Sequence, residues 1–429
     1  MQRTKRWAIF IPIFAIMTVA LLLASSAAAS SYKILHVFDW AQHPTGNLVR
    51  DAAGNLYGTT AYGAGSGCNE GGCGIVWKLA PNPKGAWTYS ILHVFTGADG
   101  ANPCGGLVLD AAGNLYDTTE LGGANGMGTV FKLAHNPNGT WTESVLYSFT
   151  GDAYNPVAGV ILDAAGNLYG TTLSGGMSWG AVFKLAHNPD GTWTESGLHS
   201  FAGGGDGDGA YPESGLVFDG AGNLYGTTVF GGTTCGWGYD NFGCGTLFKL
   251  KPNLDGSWTY SVAYSFLGLL SSLFGNYPMS GLIFDCAGNL YGISSGGEEH
   301  YGVVFRLAPN SDETWTETDL YSFTRKDGFV GGEPSVGPPV AGLTFHGGSL
   351  YGATEYGGDL NACPPYGCGV VFKLTSGAGG WSETVLHAFL GYGMYPQGGV
   401  TFDPVGNLYG TVANGGSSHN YGLVFEITP

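Results

Sequence analysis

The sequence predicts an all-β protein, a seven-bladed β-propeller with four-stranded blades. Three observations lead to it: one short string recurs seven times, each copy holds four strand signals, and the two ends of the chain complement each other. Gly is the commonest residue at 77, aromatics are abundant and only 11% of residues are charged, a composition of short strands and tight turns.

The string Gly-Asn-Leu-Tyr-Gly-Thr-Thr begins at Gly54 and recurs at Gly166 and Gly222. Variants begin at Gly113, Gly288 and Gly406, and a divergent copy at Gly348. The central residues Leu56, Leu115, Leu168, Leu224, Leu290, Leu350 and Leu408 are 53 to 66 residues apart, a period that marks a repeat architecture. In the second copy, strand a is Gly106–Asp110 and strand b is Leu115–Thr119, joined by a turn at Gly113 and Asn114 that tolerates left-handed backbone. A Gly-rich loop leads to strand c, Gly128–Leu133. The turn from His135 to Gly139 leads to strand d, Trp141–Phe149. Helical periodicity is absent, and strands without clean alternation suit sheets covered on both faces.

The seventh copy stops after strand c, at Gly422–Ile427, and lacks strand d. Lys33-Ile-Leu-His-Val-Phe38 matches Thr384-Val-Leu-His-Ala-Phe389, the end of strand d in the sixth copy. The N-terminal segment is therefore expected to complete the last blade and close a ring, which removes edge strands. An open stack of seven sheets is the alternative. A Pro stands seven residues before the end of each strand a, at Pro44, Pro103, Pro156, Pro212, Pro278, Pro339 and Pro396. Trp87, Trp141, Trp193, Trp258, Trp315 and Trp381 open strand d in six copies and read as packing residues.

Residues 1–29 read as a signal peptide: Arg3, Lys5 and Arg6, an apolar run from Trp7 to Ala24, then Ala27 and Ala29 before a mature start at Ser30. An uncleaved anchor is the alternative. Residues 30–429 then form one domain, secreted or periplasmic, with no further apolar stretch of spanning length. Cleavage removes three of the 15 basic residues and none of the 32 acidic ones, so phosphate backbones and anionic membranes are poor partners. Six of the eight Cys form local pairs, Cys68/Cys73, Cys235/Cys244 and Cys363/Cys368, read as disulfides stapling three loops. Zinc is the alternative reading of those thiols. Cys104 and Cys286 are expected to be free.

With that unit established, Gly113 to Ala134 (GNLYDTTELGGANGMGTVFKLA) resembles the repeat of the GloVer-type, or choice-of-anchor, tandem-repeat family of exported bacterial proteins. The resemblance covers essentially the whole mature chain. It implies export and a propeller-like fold, and it brings no catalytic residues with it. Members carry differing C-terminal anchors. This chain ends at Pro429 without one, which points to a freely secreted or periplasmic protein.

In this strand order the b–c and d–a loops share one face, and that face carries the irregular loops. Function resides preferentially on such loops. Its aromatics Trp40, Trp179, Tyr211, Trp237, Tyr239, Tyr277, Tyr366 and Tyr395 could stack on sugar rings, or simply pack the loops. Acid–base candidates on this face are His43, His300 and His419, with Glu298 and Glu299 beside His300, and Glu213 after Pro212. His36, His93, His199 and His387 share one strand-d position and read as structural; His135 and His187 lie in turns of the other face. The loop Gly203–Gly209 and Asp99-Gly100 are candidate calcium loops, although a full EF-hand pattern is absent. No other cofactor or metal is predicted. The repeated Lys78, Lys132, Lys184, Lys249 and Lys373, with Arg306, read as a blade-surface feature. Three functions fit: a monomeric carbohydrate-binding module, a polysaccharide lyase or hydrolase working at the channel mouth, or a cell-envelope scaffold that binds another protein.

Overall fold

The computed structural model describes residues 30–39, 42–64, 67–68, 71–203, 207–232, 243–267, 277–296, 301–328, 330, 342–416 and 421–429. The expected signal peptide lies outside them. Every regular element among the described residues is a strand, and seven antiparallel four-stranded sheets form the blades. The second blade holds strand a at Val108–Leu109, b at Leu115–Thr119, c at Thr129–His135 and d at Trp141–Ser148. Strand a is shorter than expected, because only its last two residues pair with strand b before the chain turns in towards the axis. Strand c is longer than expected and runs into the turn, pairing His135 with Trp141.

The ring closes as the chain ends foretold. Ser31–Val37 pairs with Leu423–Thr428 and completes the seventh blade. This pairing carries an irregularity between Ile34 and His36 that recurs in the other six c–d pairs, for example between Val130 and Phe131. Phe38 N donates to Gly422 O at 3.0 Å, as Phe95 N does to Gly74 O and Phe149 N to Gly128 O. The N-terminal strand thus reproduces the pairing of strand d, with Ser30 standing where the other six copies place Trp.

Blade stacking explains the burial. Strand b is wholly buried in all seven blades, while strand d alternates outwards. At each of the seven seams the Phe ending strand d meets the strand-c aromatic of the next blade edge to face, with centroids 5.0–5.4 Å apart. The pairs run from Phe38–Trp77 to Phe389–Phe425, and each ring is at most 1% exposed. Each pair contributes about 0.5–1.5 kcal/mol beyond its area burial.

The repeat string has a clear role at the opposite face. Asp51 accepts from the Asn55 backbone N–H at 2.9 Å, the Asn55 side chain at 2.6 Å and the Tyr57 hydroxyl at 2.9 Å. The Asp–Asn pair recurs in six blades. The repeated lysines lie over the strand-b tyrosines, with Lys78 5.6 Å from the Tyr57 ring centre. Trp141 of the second blade packs its edge against the same Tyr57. Blade six lacks the Asp and the Asn. There Gly347 (φ 56°) and Gly348 (φ 78°) make a two-residue hairpin, and His346 stacks on Phe402 of blade seven at 4.2 Å.

Candidate functional site at the channel mouth

The site begins with a backbone feature shared by five blades. His43 (φ 38°), Asn102 (57°), Asn155 (57°), Tyr211 (56°) and Tyr395 (62°) are all left-handed, and each immediately precedes the Pro leading into strand a. Non-glycine residues held there cost on the order of 1–3 kcal/mol each and persist only where the surroundings over-determine them. Hydrogen bonds on both sides do this. Asn102 N donates to Cys73 O at 3.0 Å and Tyr395 N to Cys368 O at 3.0 Å, both carbonyls of the preceding blade. Asn102 O accepts from Glu120 N at 3.0 Å and Asn155 O from Leu173 N at 2.9 Å, within their own blades.

Those two carbonyls belong to disulfide cysteines. Cys68–Cys73 and Cys363–Cys368 are bonded, with Cα atoms 5.2 Å apart in each. Cys244 is also disulfide-bonded, and its expected partner Cys235 lies outside the described residues. Each of the two described staples thus fixes an anchor for the next blade's left-handed residue. Cys104 and Cys286 are free thiols, the first buried and the second exposed.

Beside the channel, His43, Asn102, Asn155, Glu120, Gln397 and Asn414 line a cavity of ≈ 470 Å³, with Thr45, Tyr62, Cys104 and Val157 also in its wall. His43, Asn102, Asn155 and Gln397 come from d–a loops, whereas Tyr62, Glu120 and Asn414 come from b–c loops, so the two loop sets do share this face. Burial pushes the Glu120 carboxyl above its usual range, opposed by a hydrogen bond with Asn102. The carboxyl of Glu355, at the same register position in blade six, is raised in the same way and accepts from Gln397 at 3.4 Å.

Deeper along the axis, the starts of strand a from six blades wall a second cavity of ≈ 270 Å³, including Gly46, Gly105, Gly159, Gly215, Gly281 and Gly342. Glycine is needed where backbones converge: a Cβ at Gly105 would collide with the Gly159 backbone, and one at Gly398 with Gly46 O. The second blade breaks the pattern one strand out. Asp117 replaces the strand-b Gly of the other blades and is fully buried, accepting from Gly106 N at 3.2 Å and Thr118 N at 2.8 Å. Burial raises its carboxyl to about 7.

The predicted site residues divide sharply. His43 lines the mouth cavity, and its Nδ1 lies 3.1 Å from Ala413 O. Glu213 does not line it; the side chain is 3% exposed, Oε1 has no partner, and burial lifts the carboxyl to about 8. Glu213 therefore stands outside the described cavity that His43 lines. Trp40, Trp237, Tyr239, His300, His419, Glu298 and Glu299 lie outside the described residues. Trp179, Tyr211, Tyr277 and Tyr395 are half-buried. They pack edge to face, Trp179 on Tyr211 at 5.4 Å, Tyr277 on Phe230 at 5.4 Å and Tyr395 on Tyr356 at 5.4 Å. Tyr366 is 49% exposed and carries Arg325 5.7 Å from its ring centre.

In both proposed calcium loops a described carboxylate, Asp99 or Asp208, turns to groups of its own blade, while Asp206 lies outside the described residues. Asp99 Oδ1 accepts from Thr96 N at 2.8 Å and Asp99 Oδ2 lies 2.9 Å from His93 Nε2; Asp208 accepts from Ala202 N at 2.9 Å and faces His199. The residues missed by sequence reading are Asn102, Asn155, Glu120, Gln397 and Asn414. One signal for the first two was present: Asn tolerates left-handed backbone, and both precede the repeated Pro.

A closed seven-bladed propeller with a polar cavity at one mouth of its channel is the class of protein that these residues define. The family model of the Gloeobacter/Verrucomicrobia repeat matches residues 43–282 and 238–429, and the chain belongs to that repeat family. A search of curated proteins finds no match. Among solved structures, a candidate 6-phosphogluconolactonase from Bacteroides uniformis is 15% identical, with a TM-score of 0.50 over 83% of this chain and 88% of that one. A second, from Bacteroides fragilis, is 16% identical, with a TM-score of 0.51 over 82% of this chain and 86% of that one. At such identities the likeness is one of fold.

Proposed function

We propose that this protein is an exported binding module that takes a carbohydrate at the channel mouth. One observation carries the reading: strained, doubly clamped backbone presents Asn102 and Asn155 to a single cavity that also holds His43, Glu120, Gln397 and Asn414. Side-chain amides and a carboxylate offer both donors and acceptors, as a polyhydroxylated ligand requires. The cavity's ≈ 470 Å³ falls in the range of small-molecule sites. The disulfides support export, since such bonds persist in oxidising compartments. Among the described residues no helix is long and apolar enough to cross a membrane.

The test is a glycan array followed by calorimetry on the best hit. Asn102→Gly with Asn155→Gly keeps the left-handed backbone and removes both amides. It should weaken binding at least ~10-fold, about 1.4 kcal/mol, with melting unchanged. If no glycan binds, or the double variant binds as well as the parent, the reading fails. The enzymatic alternative has its own assay: turnover of polysaccharides or of 6-phosphogluconolactone, abolished by His43→Ala, would replace it.

A further inference from the structure

Every seam between blades carries a second pair outside the Phe contact. One member is the strand-d residue six positions after the Trp position; the other is the residue two positions after it in the next blade. Six seams follow one of two rules. In three of them His meets Tyr, and the rings stack: His36 on Tyr89 at 3.9 Å, His199 on Tyr260 at 3.5 Å and His387 on Tyr32 at 3.9 Å. In the other three Tyr meets Glu. Tyr264 donates to Glu317 at 2.9 Å, and Tyr147 and Tyr321 feel the charges of Glu195 and Glu383.

The seam between blades one and two breaks both rules by setting His93 against Glu143. Asp99 of the adjoining d–a loop is the third member. One ligand atom from each of the three residues lies within 4.8 Å of the other two, and this is the one such group of three or more among the described residues. His93 Nε2 is 2.9 Å from Asp99 Oδ2, and each side chain is 20% exposed, so the group is reachable from solvent. Glu143 Oε1 is buried without a hydrogen-bond partner. Oε1 of Glu317 and Glu383 is unpaired in the same way, and of the Tyr hydroxyls Tyr264 donates to Glu317 while Tyr321 donates to Asp327 at 2.7 Å; what sets this seam apart is the imidazole that stands opposite its carboxylate. We propose that His93, Asp99 and Glu143 form a divalent transition-metal site, suited to Zn²⁺, that staples blade one to blade two.

The chemistry fits an N/O donor set: one imidazole and two carboxylates serve Zn²⁺, with a fourth position left for water. In a tetrahedral site ligand atoms about 2.1 Å from the ion lie about 3.4 Å apart, so a group already within 4.8 Å closes by side-chain rotations of about an ångström. The ion would neutralise a carboxylate that burial and the nearby Asp99 charge now hold up at about 7. Asp99 is three residues ahead of Asn102, so the staple would also steady a loop that lines the mouth cavity. The assignment does not rest on the carbohydrate reading, and its readout involves no glycan.

The experiment is Zn²⁺ titration of the EDTA-treated mature chain by calorimetry, with melting curves in parallel. The expected result is one equivalent bound at micromolar affinity or tighter and a higher Tm. Glu143→Tyr installs the residue that faces His in three other seams, and Glu143→Gln is nearly isosteric. Each should weaken binding at least ~10-fold and abolish the Zn²⁺-dependent rise in Tm. Failure of the parent to bind one equivalent, or retention of its affinity within ~2-fold by Glu143→Gln, would overturn the site and assign any bound zinc to exposed histidines such as His135 and His187.

Discussion

Single residues matter most where they leave the repeat. Asp117 sits where the other blades place Gly, and burial lifts its carboxyl from 3.8 to about 7. The folded protein therefore holds a proton there that the unfolded chain releases above pH ~4. Stability contributed by this group is present at low pH and lost as pH rises from about 4 to about 7. Asp117→Gly restores the repeat and should flatten that segment of the stability–pH curve, raising stability at pH 8 by a few kcal/mol. Urea melts at pH 5 and pH 8 check this; an unchanged difference between the two pH values would refute it. Glu213, lifted to about 8, follows the same sign over a wider window, so Glu213→Gln should stabilise most above pH 8.

The element with the greatest leverage is the N-terminal strand, Ser31–Val37, because the seventh blade has no other fourth strand. Removing residues 32–38 exposes Leu423–Thr428 as an edge and deletes Phe38 from its contact with Trp77. The truncated protein should melt far below the parent and scatter as a more open particle. Phe38→Ala alone should cost about 3–5 kcal/mol by chemical denaturation. The disulfide loops matter less to global stability. Cys68–Cys73 and Cys363–Cys368 each span five residues of sequence, for which loop-closure entropy gives only ~2 kcal/mol. Reduction should lower Tm modestly, leave the ring folded, and loosen the anchors of Asn102 and Tyr395, read as faster amide exchange there.

For the molecule as a whole, acid should act first on the closing blade. His36 and His387 flank blade seven on its two sides, each stacked on a Tyr of the neighbouring blade, and burial lowers both to about 4. Neutral imidazole is favoured in the fold, so this stability is present above pH ~6.5 and lost as pH falls towards about 4. Hydrogen exchange at pH 5 against pH 7.5 should show the greatest gain in Ser31–Val37 and Leu423–Thr428. In His36→Gln with His387→Gln the gain should shrink. Equal exchange across all blades would count against it.

The seven-fold ring was legible in sequence because each blade repeats its own local rules: Asp with Asn and Tyr at the hairpin, Trp at the start of strand d, Phe at its end. Closure was legible too, since Lys33–Phe38 carries the strand-d pattern that the seventh copy lacks. His43 lies where its loop was expected, on the face shared by the b–c and d–a loops. Its companions were not legible, because Asn102, Glu120, Asn155, Gln397 and Asn414 come from blades two, three and seven, and no spacing along the chain measures a distance around an axis. The seam of His93 and Glu143 stayed hidden for the same reason. Each residue looks ordinary within its own repeat, and the conflict appears only when one blade is laid against the next. Local hydrogen bonding and periodic packing are encoded within a repeat; convergence between repeats is decided by the closed ring.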